Sequence, residues 1–398
     1  MQSTPRKKGY LFILPWPLDR IGGVNQVVIN LAREMQEANE FFPLVLINEW
    51  NAIDPIIEDF QGLKTVRWRI RTYRKGMGFK RKLAFMLWEI RFRQKFQRFC
   101  RDNNVIAINL HFPVSQAFSI GRVIKKFKTN LQLILSFHGS DVDAVASEGE
   151  VEVNQWKSLL LDSDVRVVVC SNDLGRRLNN ALGCGVKSLV VHNGLDIKAF
   201  SSMANESTSS AERIILNVAK FDENKGQGVL INAFSEIAMK YEDVKLVLVG
   251  GSDKALPGLK ALCIEKRIDK RVEFHPDVPH KHVADFYQRA TLFCLPSRNE
   301  AFGIVLLEAG SFALPIIATR VGGVPEIVHE GINGILVNPD SQAELTHSIM
   351  SLLDDPVAAE DMGKRLFQHV SSNFSWGGAY KKYVEMLANN DDTDKGSL

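Results

Sequence analysis

Short apolar runs alternate with longer amphipathic segments along the chain, and this pattern constrains the fold more than any other feature. Runs of this length that are rich in Val, Ile and Leu are typical of strands buried on both faces of a parallel sheet. Because amphipathic segments separate them, we predict right-handed βαβ units. The predicted strands are YLFIL, PLVLI, TVRWRI, VIAINL, LQLILSF, VRVVVC and SLVVH in a first series, then RIILNVA, VKLVLVG, VEFH, LFCL, PIIAT and GILV in a second.

A Ser-rich stretch at residues 201–210 separates the two series and predicts two Rossmann-like domains. A length of 398 residues suits two domains. We expect a first domain over residues 1–205 and a second over 206–372. A last helix within residues 373–390 is expected to cross back to the first domain.

Composition bounds the cellular setting. The five cysteines are scattered and form no CxxC pair, which indicates free thiols in a reducing compartment. No apolar stretch approaches the roughly 20 residues of a membrane-spanning helix. The first apolar run is short and Pro15 and Pro17 interrupt it, so it is a first strand rather than a signal peptide. We expect a cytoplasmic protein, either free or peripheral on the inner face of the membrane.

The segment from Lys64 to Arg101 carries fourteen Lys and Arg residues and a single acid, Glu89. The whole chain has a formal net charge of +3, so the remainder is net −10 and this basic segment supplies the positive balance. Such a segment favours anionic partners, namely membrane headgroups, nucleic acid or a phosphorylated substrate.

The segment SRNEAFGIVLLEAGSFALPIIATRVGGVPEIV, residues 297–328, contains the strongest chemical signal. Glu300 and Glu308 are eight residues apart, and Gly303 precedes an apolar helix. A glycine at a helix start lets a ligand phosphate approach bare backbone N–H groups, where the helix dipole favours negative charge. By spacing alone, two interpretations are equally good. The glutamates accept hydrogen bonds from sugar hydroxyls, or they merely flank a buried helix.

This segment resembles the EX7E signature of retaining glycosyltransferase family 4, and the resemblance continues through VGGVPEIVHEGINGILVNP, residues 321–339. It implies the GT-B fold, an α/β architecture in which the parallel sheets of two Rossmann-like domains face each other across a cleft. It also implies that Glu308 binds the nucleotide ribose and Glu300 the donor sugar. The donor diphosphate would lie at the helix start, which comprises Phe302, Gly303, Ile304 and Val305.

A second segment, VAKFDENKGQGVLINAF at residues 218–234, resembles the strand, basic residue and Lys-Gly of the same family. The resemblance implies that Lys220 and Lys225 face the diphosphate. Cations are needed there because negative charge builds on the departing nucleoside diphosphate. Lys220 stands where arginine is common in the family, and a lysine cannot form a bidentate fork. A plain surface lysine is the alternative at this position.

Two segments of the first domain complete the resemblance. RIGGVNQVVINLA places Gly22 and Gly23 after the first strand, like the family's glycine-rich loop beside the donor phosphate. SFHGSDVD places His138 just after a strand, where a family histidine contacts the transferred sugar. A histidine with only a structural role is the alternative. Asn193 and Asp196 of VHNGLDIKAF are expected either to line the cleft or to shape a turn.

Metal and cofactor requirements are expected to be minimal. Asp141 and Asp143 form a DxD pattern, but the pattern recurs at 162–164 and 392–394 and is therefore weak evidence for a metal. The resemblance to GT-B enzymes implies no obligatory metal, and the histidines lack zinc-ligand spacing. The donor is expected to be a UDP- or GDP-sugar, which is a substrate rather than a cofactor.

The basic segment contains a predicted helix from Phe79 to Arg101 with two apolar stripes. Phe85, Trp88, Phe92, Phe96 and Phe99 form one stripe. Leu83, Met86, Leu87 and Ile90 form the other, roughly opposite. One stripe must cover the sheet. The other is expected either to contact an anionic membrane near a lipid-linked acceptor or to pack against a neighbouring element.

These features and the family resemblance predict a glycosyltransferase that moves a hexose-type sugar from a nucleotide diphosphate to a hydroxyl of a lipid-linked or envelope glycan, and the resemblance implies retention. His138, Lys225 and Glu300 are the expected catalytic residues. The alternatives are another GT-B enzyme, such as a synthase or a nucleotide-sugar epimerase, and a non-catalytic GT-B binding protein. Nucleic acid is not an expected partner, because no RRM, KH or zinc motif accompanies the basic segment.

Overall fold

The computed structural model describes residues 7–19, 22–72, 78–127, 131–204, 212–251 and 254–388. The chain forms two compact units. Unit 1 comprises residues 1–192 and 376–398, and unit 2 comprises residues 193–375. Most of the Ser-rich stretch, part of the basic segment and the DxD pattern at 392–394 lie outside the described residues.

Unit 1 contains an eight-stranded sheet in the order β3-β4-β2-β1-β5-β6-β7-β8. Every neighbouring pair is parallel except β3 and β4, which are antiparallel. The strands are β1 (Lys8–Leu14), β2 (Phe41–Asn48), β3 (Ile56–Phe60), β4 (Leu63–Trp68), β5 (Val105–His111), β6 (Gln132–Phe137), β7 (Val165–Val169) and β8 (Ser188–Val190).

The helices of unit 1 include one from the end of the chain, which packs against the first helix. They are α1 (Gly23–Ala38), α2 (Phe79–Asp102), α3 (Gln116–Ile124), α4 (Ser140–Ala146), α5 (Glu150–Leu160), α6 (Asn172–Leu182) and α14 (Trp376–Ala388). The hydroxyl of Tyr383 in α14 shares a buried 3.0 Å hydrogen bond with Ser136 of β6. This bond fixes the last helix to the centre of the sheet.

Unit 2 contains a six-stranded, fully parallel sheet in the order β11-β10-β9-β12-β13-β14. The strands are β9 (Arg213–Val218), β10 (Val244–Gly250), β11 (Val272–Pro276), β12 (Leu292–Leu295), β13 (Ile316–Thr319) and β14 (Ile335–Val337). The helices are α7 (Ile197–Ser201), α8 (Gln227–Lys240), α9 (Leu256–Glu265), α10 (His280–Arg289), α11 (Ile304–Ser311), α12 (Gln342–Asp354) and α13 (Pro356–Asn373). Short 3₁₀ turns occur at Glu223–Lys225, Asp269–Arg271 and Val324–Glu326.

The predicted α/β class with two parallel sheets is confirmed, and each predicted apolar run contributes a strand. One strand, β3, escaped prediction. Its sequence IIEDF is mostly exposed and pairs with a single neighbour at the sheet edge. An edge strand needs no continuous apolar run, because water rather than a helix covers much of its surface.

Helix α2 buries one of its two apolar stripes. The rings of Phe92, Phe96 and Phe99 surround Trp68 of β4 at centroid distances of 5.1, 5.8 and 5.9 Å. Phe92 and Phe96 are also stacked on each other at 5.2 Å. The second stripe, with Leu83 at its centre, is exposed. None of the helices in the described part of the chain is long and apolar enough to cross a bilayer.

We expect truncation on the buried face of α2 to destabilise the protein much more than truncation on its exposed face. Phe96→Ala removes a fully buried ring and should lower the free energy of unfolding by about 3–5 kcal/mol. Leu83→Ala, on the exposed face, should change it by no more than about 0.5 kcal/mol. Urea denaturation followed by circular dichroism measures both values, and equal losses would contradict the assignment of faces.

Candidate active site

Unit 2 brings Lys225 and Glu300 together, although 75 residues separate them. The ammonium group of Lys225 lies 2.8 Å from Oε2 of Glu300, and both side chains are largely shielded from water. Lys225 ends the short 3₁₀ turn that Asp222 caps through the backbone N–H of Asn224. Glu300 lies in the loop between β12 and α11. The pair therefore depends on the packing of two separate loops.

Two glycines allow this packing. Gly226 has a φ of +67°, and a Cβ there would lie 1.9 Å from the carbonyl oxygen of Pro296. Gly322 has a φ of +53°, and a Cβ there would lie 1.8 Å from the carbonyl oxygen of Glu300. That oxygen accepts a 3.0 Å hydrogen bond from the N–H of Gly323. The backbone of Glu300 is thus held by contacts that only glycine permits.

The start of α11 lies beside Glu300. Gly303 caps the helix at a φ of +94°, and Cγ of Glu300 is 3.5 Å from the position of a Cβ on this glycine. The N–H groups of Ile304 and Val305 belong to the first turn and so lack intrahelical acceptors. The side chain of Phe302 is buried and contacts the ring of Phe374 at 5.8 Å. Phe302 can therefore offer a ligand its backbone only.

Glu308, also in α11, is buried and held by two side chains that the sequence did not single out. The hydroxyl of Tyr287 donates a 2.8 Å hydrogen bond to Oε2, and Nε2 of His280 is 3.3 Å from Oε1. Burial and the Glu308 carboxylate raise the pKa of Tyr287 well above its usual value, which keeps the phenol protonated. Both partners lie in α10, 21 and 28 residues away, so no local spacing signals them.

Lys220 follows β9 and is exposed. Its ammonium group makes no hydrogen bond or ion pair with any residue that the structure describes. Its backbone carbonyl accepts a 2.8 Å hydrogen bond from the buried amide of Gln227, which fixes the chain at this point. The structure therefore places Lys220 at the end of the strand, but not in the Lys225–Glu300 pair.

Gly22 and Gly23 lie in unit 1, at the start of α1. The loop before them is held by Asn25, whose Oδ1 accepts a 2.8 Å hydrogen bond from Trp16 Nε1. The amide of Asn25 in turn donates to the carbonyl oxygen of Pro17 at 2.9 Å. The buried Asn25 thus holds Trp16 and Pro17 beside the first turn of α1.

His138 is paired with a second histidine in unit 1. Nδ1 of His111, at the end of β5, lies 2.9 Å from Nε2 of His138, just after β6. Burial lowers the pKa of His138 to about 4 and, with His138, lowers the pKa of His111 well below its usual value. Both rings are neutral at pH 7, so one donates and the other accepts. The hydrogen bond couples the tautomer of His138 to that of His111.

The carboxylate of Asp141 is fully buried and accepts hydrogen bonds from three backbone N–H groups, those of His138, Gly139 and Val142. Burial raises the pKa of this carboxyl to about 6, against the effect of these bonds. Asp143 forms an ion pair with Arg177. Asp141 of the DxD pattern therefore shapes the loop that carries His138. Among the described residues, no cluster of three His, Cys, Asp or Glu side chains could hold a metal ion.

Asn193 and Asp196, which were expected either to line the cleft or to shape a turn, lie in the segment after β8. Asp196 caps α7, because its carboxylate accepts a 3.0 Å hydrogen bond from the N–H of Ala199. Asn193 is buried and is the first residue of unit 2. The N–H of the neighbouring Leu195 donates to the carbonyl oxygen of Phe374 at 3.1 Å. Asp196 therefore shapes the turn.

Two family models match consecutive parts of the chain. The first, described as Glycosyltransferase Family 4, covers residues 21–199, and the second, Glycosyl transferases group 1, covers residues 201–369. A D-inositol 3-phosphate glycosyltransferase of Corynebacterium efficiens is 28% identical over 260 residues, which are 62% of this chain and 61% of the relative. The matched regions span only 50–61% of the length of the first curated relatives.

Solved structures resemble almost the whole chain. Sucrose-phosphate synthase from Thermosynechococcus elongatus has a TM-score of 0.77 and 22% identity, over 97% of this chain and 100% of that chain. HepE from Anabaena, solved in complex with UDP and glucose, has a TM-score of 0.73 and 17% identity, over 96% and 99% of the two chains. At these identities the likeness shows the fold alone, and it confirms the predicted GT-B class.

We expect the contact between His280 and Glu308 to make stability depend on pH. The hydrogen bond to Glu308 raises the pKa of His280 above its usual value. The contribution of this hydrogen bond to the free energy of unfolding is therefore fully present below about pH 6.5, the ordinary pKa of histidine. It is lost as the pH rises through the pKa of His280 in the folded protein. The deficit in unfolding free energy of His280→Asn relative to wild type should thus shrink as the pH rises above about 6.5. Chemical denaturation at several pH values measures it, and a constant deficit would contradict the assignment.

Proposed function

Because the chain belongs to glycosyltransferase family 4, as its sequence predicted, we propose that it is a retaining hexosyltransferase. The reaction would move a hexose-type sugar from a nucleoside diphosphate to an acceptor hydroxyl. The bond between the anomeric carbon and the phosphate oxygen breaks with its electron pair on the diphosphate, the acceptor oxygen bonds to that carbon, and the departing diphosphate takes up the acceptor proton. Retention places the new bond on the face from which the diphosphate departs.

The observation that carries this proposal is the pairing of Lys225 with Glu300 beside the glycine-capped start of α11. A cation and free N–H groups at a helix start suit a diphosphate, while a carboxylate suits sugar hydroxyls. The φ of +94° already favours glycine at position 303, and the absence of a Cβ there also leaves room for a phosphate to approach the helix start. The proposed catalytic residues here are Lys225 and Glu300, and Lys220 adds a second cation.

Glu308 is proposed to bind the ribose. Its carboxylate has lone pairs to spare after accepting from Tyr287 and His280, because an ionised carboxylate offers about four acceptor sites. The neutral Tyr287 holds one oxygen in place and so orients the other. His138 is proposed to contact the transferred sugar, with His111 as the hydrogen-bond partner that holds its ring in place. Gly22 and Gly23 are proposed to admit the donor phosphate.

The donor is proposed to be a UDP- or GDP-sugar, and the structural likeness to HepE, solved with UDP and glucose, supports the first of these. The acceptor is proposed to be a lipid-linked or envelope glycan. The relative from Corynebacterium efficiens is named for an inositol 3-phosphate acceptor, so a phosphorylated polyol is the second candidate. Lysines and backbone N–H groups meet the diphosphate charge in this proposal, so we assign no obligatory metal.

The proposal is tested by a thermal-shift screen with UDP, GDP, ADP and their sugars. Only a nucleotide that binds the folded protein raises the melting temperature. Glu308→Ala should weaken binding of that nucleotide roughly 10- to 100-fold, because hydrogen bonds to a charged group contribute about 1.5–3 kcal/mol. Glu265→Ala, on the exposed surface of α9, is the matched control. Unchanged affinity in folded Glu308→Ala would remove Glu308 from the site.

Lys225→Ala should lower turnover by about 10²–10³, the range for loss of one preorganised electrostatic contact. Lys225→Met, which retains the length of the side chain, should show the same loss if the charge is responsible. Lys240→Ala is the control, since Lys240 is exposed and paired with Asp354. Sugar transfer is measured by release of the nucleoside diphosphate. Turnover within a few-fold of wild type would show that Lys225 does not act on the leaving group.

A further inference from the structure

We propose that the outer face of α2 docks on the surface of an anionic phospholipid bilayer. The outer face is defined by Phe79, Leu83, Met86, Leu87 and Ile90, with the cations that flank them. This inference concerns where the protein resides rather than what it transfers. It therefore stands or falls independently of the proposed sugar transfer.

The apolar side chains of the outer face are aligned and accessible. Their exposed fractions are 81% for Phe79, 48% for Leu83, 50% for Met86, 51% for Leu87 and 47% for Ile90. At about 100° per residue they share a face roughly 100° wide, opposite the buried Phe92 and Phe96. The helix already covers its sheet with the buried side, so packing within unit 1 does not account for this second stripe.

Basic side chains border the stripe on both sides. By helical position, Lys80, Arg91 and Arg98 lie along one edge, and Lys82 and Arg93 lie along the other. Arg91 and Arg98 are exposed, and neither forms an ion pair with the residues that the structure describes. The acidic Glu89 of this helix is paired with Arg122 at 3.0 Å, so it does not offset these cations.

This arrangement matches the interface of a bilayer. An amphipathic helix that lies in the plane of the interface inserts its apolar face between the headgroups while its cations meet lipid phosphates. The apolar stripe occupies the first half of the helix, about 18 Å at 1.5 Å per residue, which is far too short to span a bilayer. A second copy of the chain would bring two strongly basic faces together, and like charges oppose that association.

Nucleic acid fits the surface less well. It would meet the cations but leave four aliphatic side chains and one phenyl ring without apolar contact, whereas lipid satisfies both groups. Each Lys or Arg near an anionic leaflet contributes about fivefold in affinity. Four such residues would raise the affinity for anionic vesicles over that for neutral ones by several hundredfold. Salt would weaken only this electrostatic part of the affinity. The apolar insertion supplies the part that resists salt.

The test is flotation of the full chain with vesicles of phosphatidylcholine alone and with about 30% phosphatidylglycerol, at about 0.05 and 0.5 M salt. We expect strong binding to the anionic vesicles at low salt, weak binding to neutral ones, and a residual bound fraction at high salt. Absence of binding to anionic vesicles at low salt overturns the proposal. Equal binding to both vesicle types overturns it as well.

Three double variants assign the binding to the outer face. Arg91→Glu with Arg98→Glu should weaken binding more than 25-fold, because two cations are both removed and reversed. Leu83→Ser with Leu87→Ser should abolish the salt-resistant fraction. Lys260→Glu with Lys270→Glu, exposed residues of unit 2, is the matched control and should bind as wild type does. Equal losses in all three variants, or none in the first two, would overturn the assignment to α2.

Two further measurements complete the test. Nucleotide-induced thermal shifts of the variants show that they are folded and should match those of wild type, since α2 lies in unit 1 and the nucleotide is assigned to unit 2. Sedimentation analysis reveals any self-association. If the wild-type protein is a dimer and the variant Leu83→Ser with Leu87→Ser is a monomer, a second copy of the chain rather than a bilayer is the partner of the outer face. If the protein binds an oligonucleotide but not the anionic vesicles, nucleic acid rather than a bilayer is the partner of the outer face.

Discussion

The close approach of two backbone loops in unit 2 is the constraint on which the candidate active site depends. Gly226 lies against the carbonyl of Pro296, and Gly322 lies against that of Glu300, at distances that exclude any Cβ. These contacts accompany a Lys225 that lies within hydrogen-bonding distance of Glu300, whose Cγ in turn lies beside Gly303 at the start of α11. The glycines of the GGVPE segment therefore act on the site through backbone geometry, without a side chain of their own.

Buried polar contacts hold the other candidate side chains. Glu308 is fixed by the protonated Tyr287, and His138 by the neutral His111. Below the two histidines, Ser136 joins Asn109 of β5 to Tyr383 of α14. Buried polar groups are costly unless paired, so each network restricts its members to one geometry. That rigidity suits residues that must orient a ligand.

The two faces of helix α2 have different surroundings. Its aromatic face packs on Trp68 and stabilises the sheet, while its outer face presents aliphatic side chains and cations to the surroundings. An amphipathic surface helix normally has a polar outer face. The departure from that rule makes this face a candidate binding surface, because contiguous exposed apolar patches mark interaction sites.

The sequence by itself determined the α/β class, the strands that run through buried cores, the family and the identities of Glu300, Glu308, Lys225 and His138 as candidates. Apolar periodicity and local motifs carry that information, because both act over a few neighbouring residues. Only the tertiary structure paired His111 with His138 and Tyr287 with Glu308, and only it buried Phe96 while exposing Leu83. These outcomes depend on which distant strands and helices become neighbours, and a helix with two apolar stripes carries no local signal of which stripe the sheet will cover.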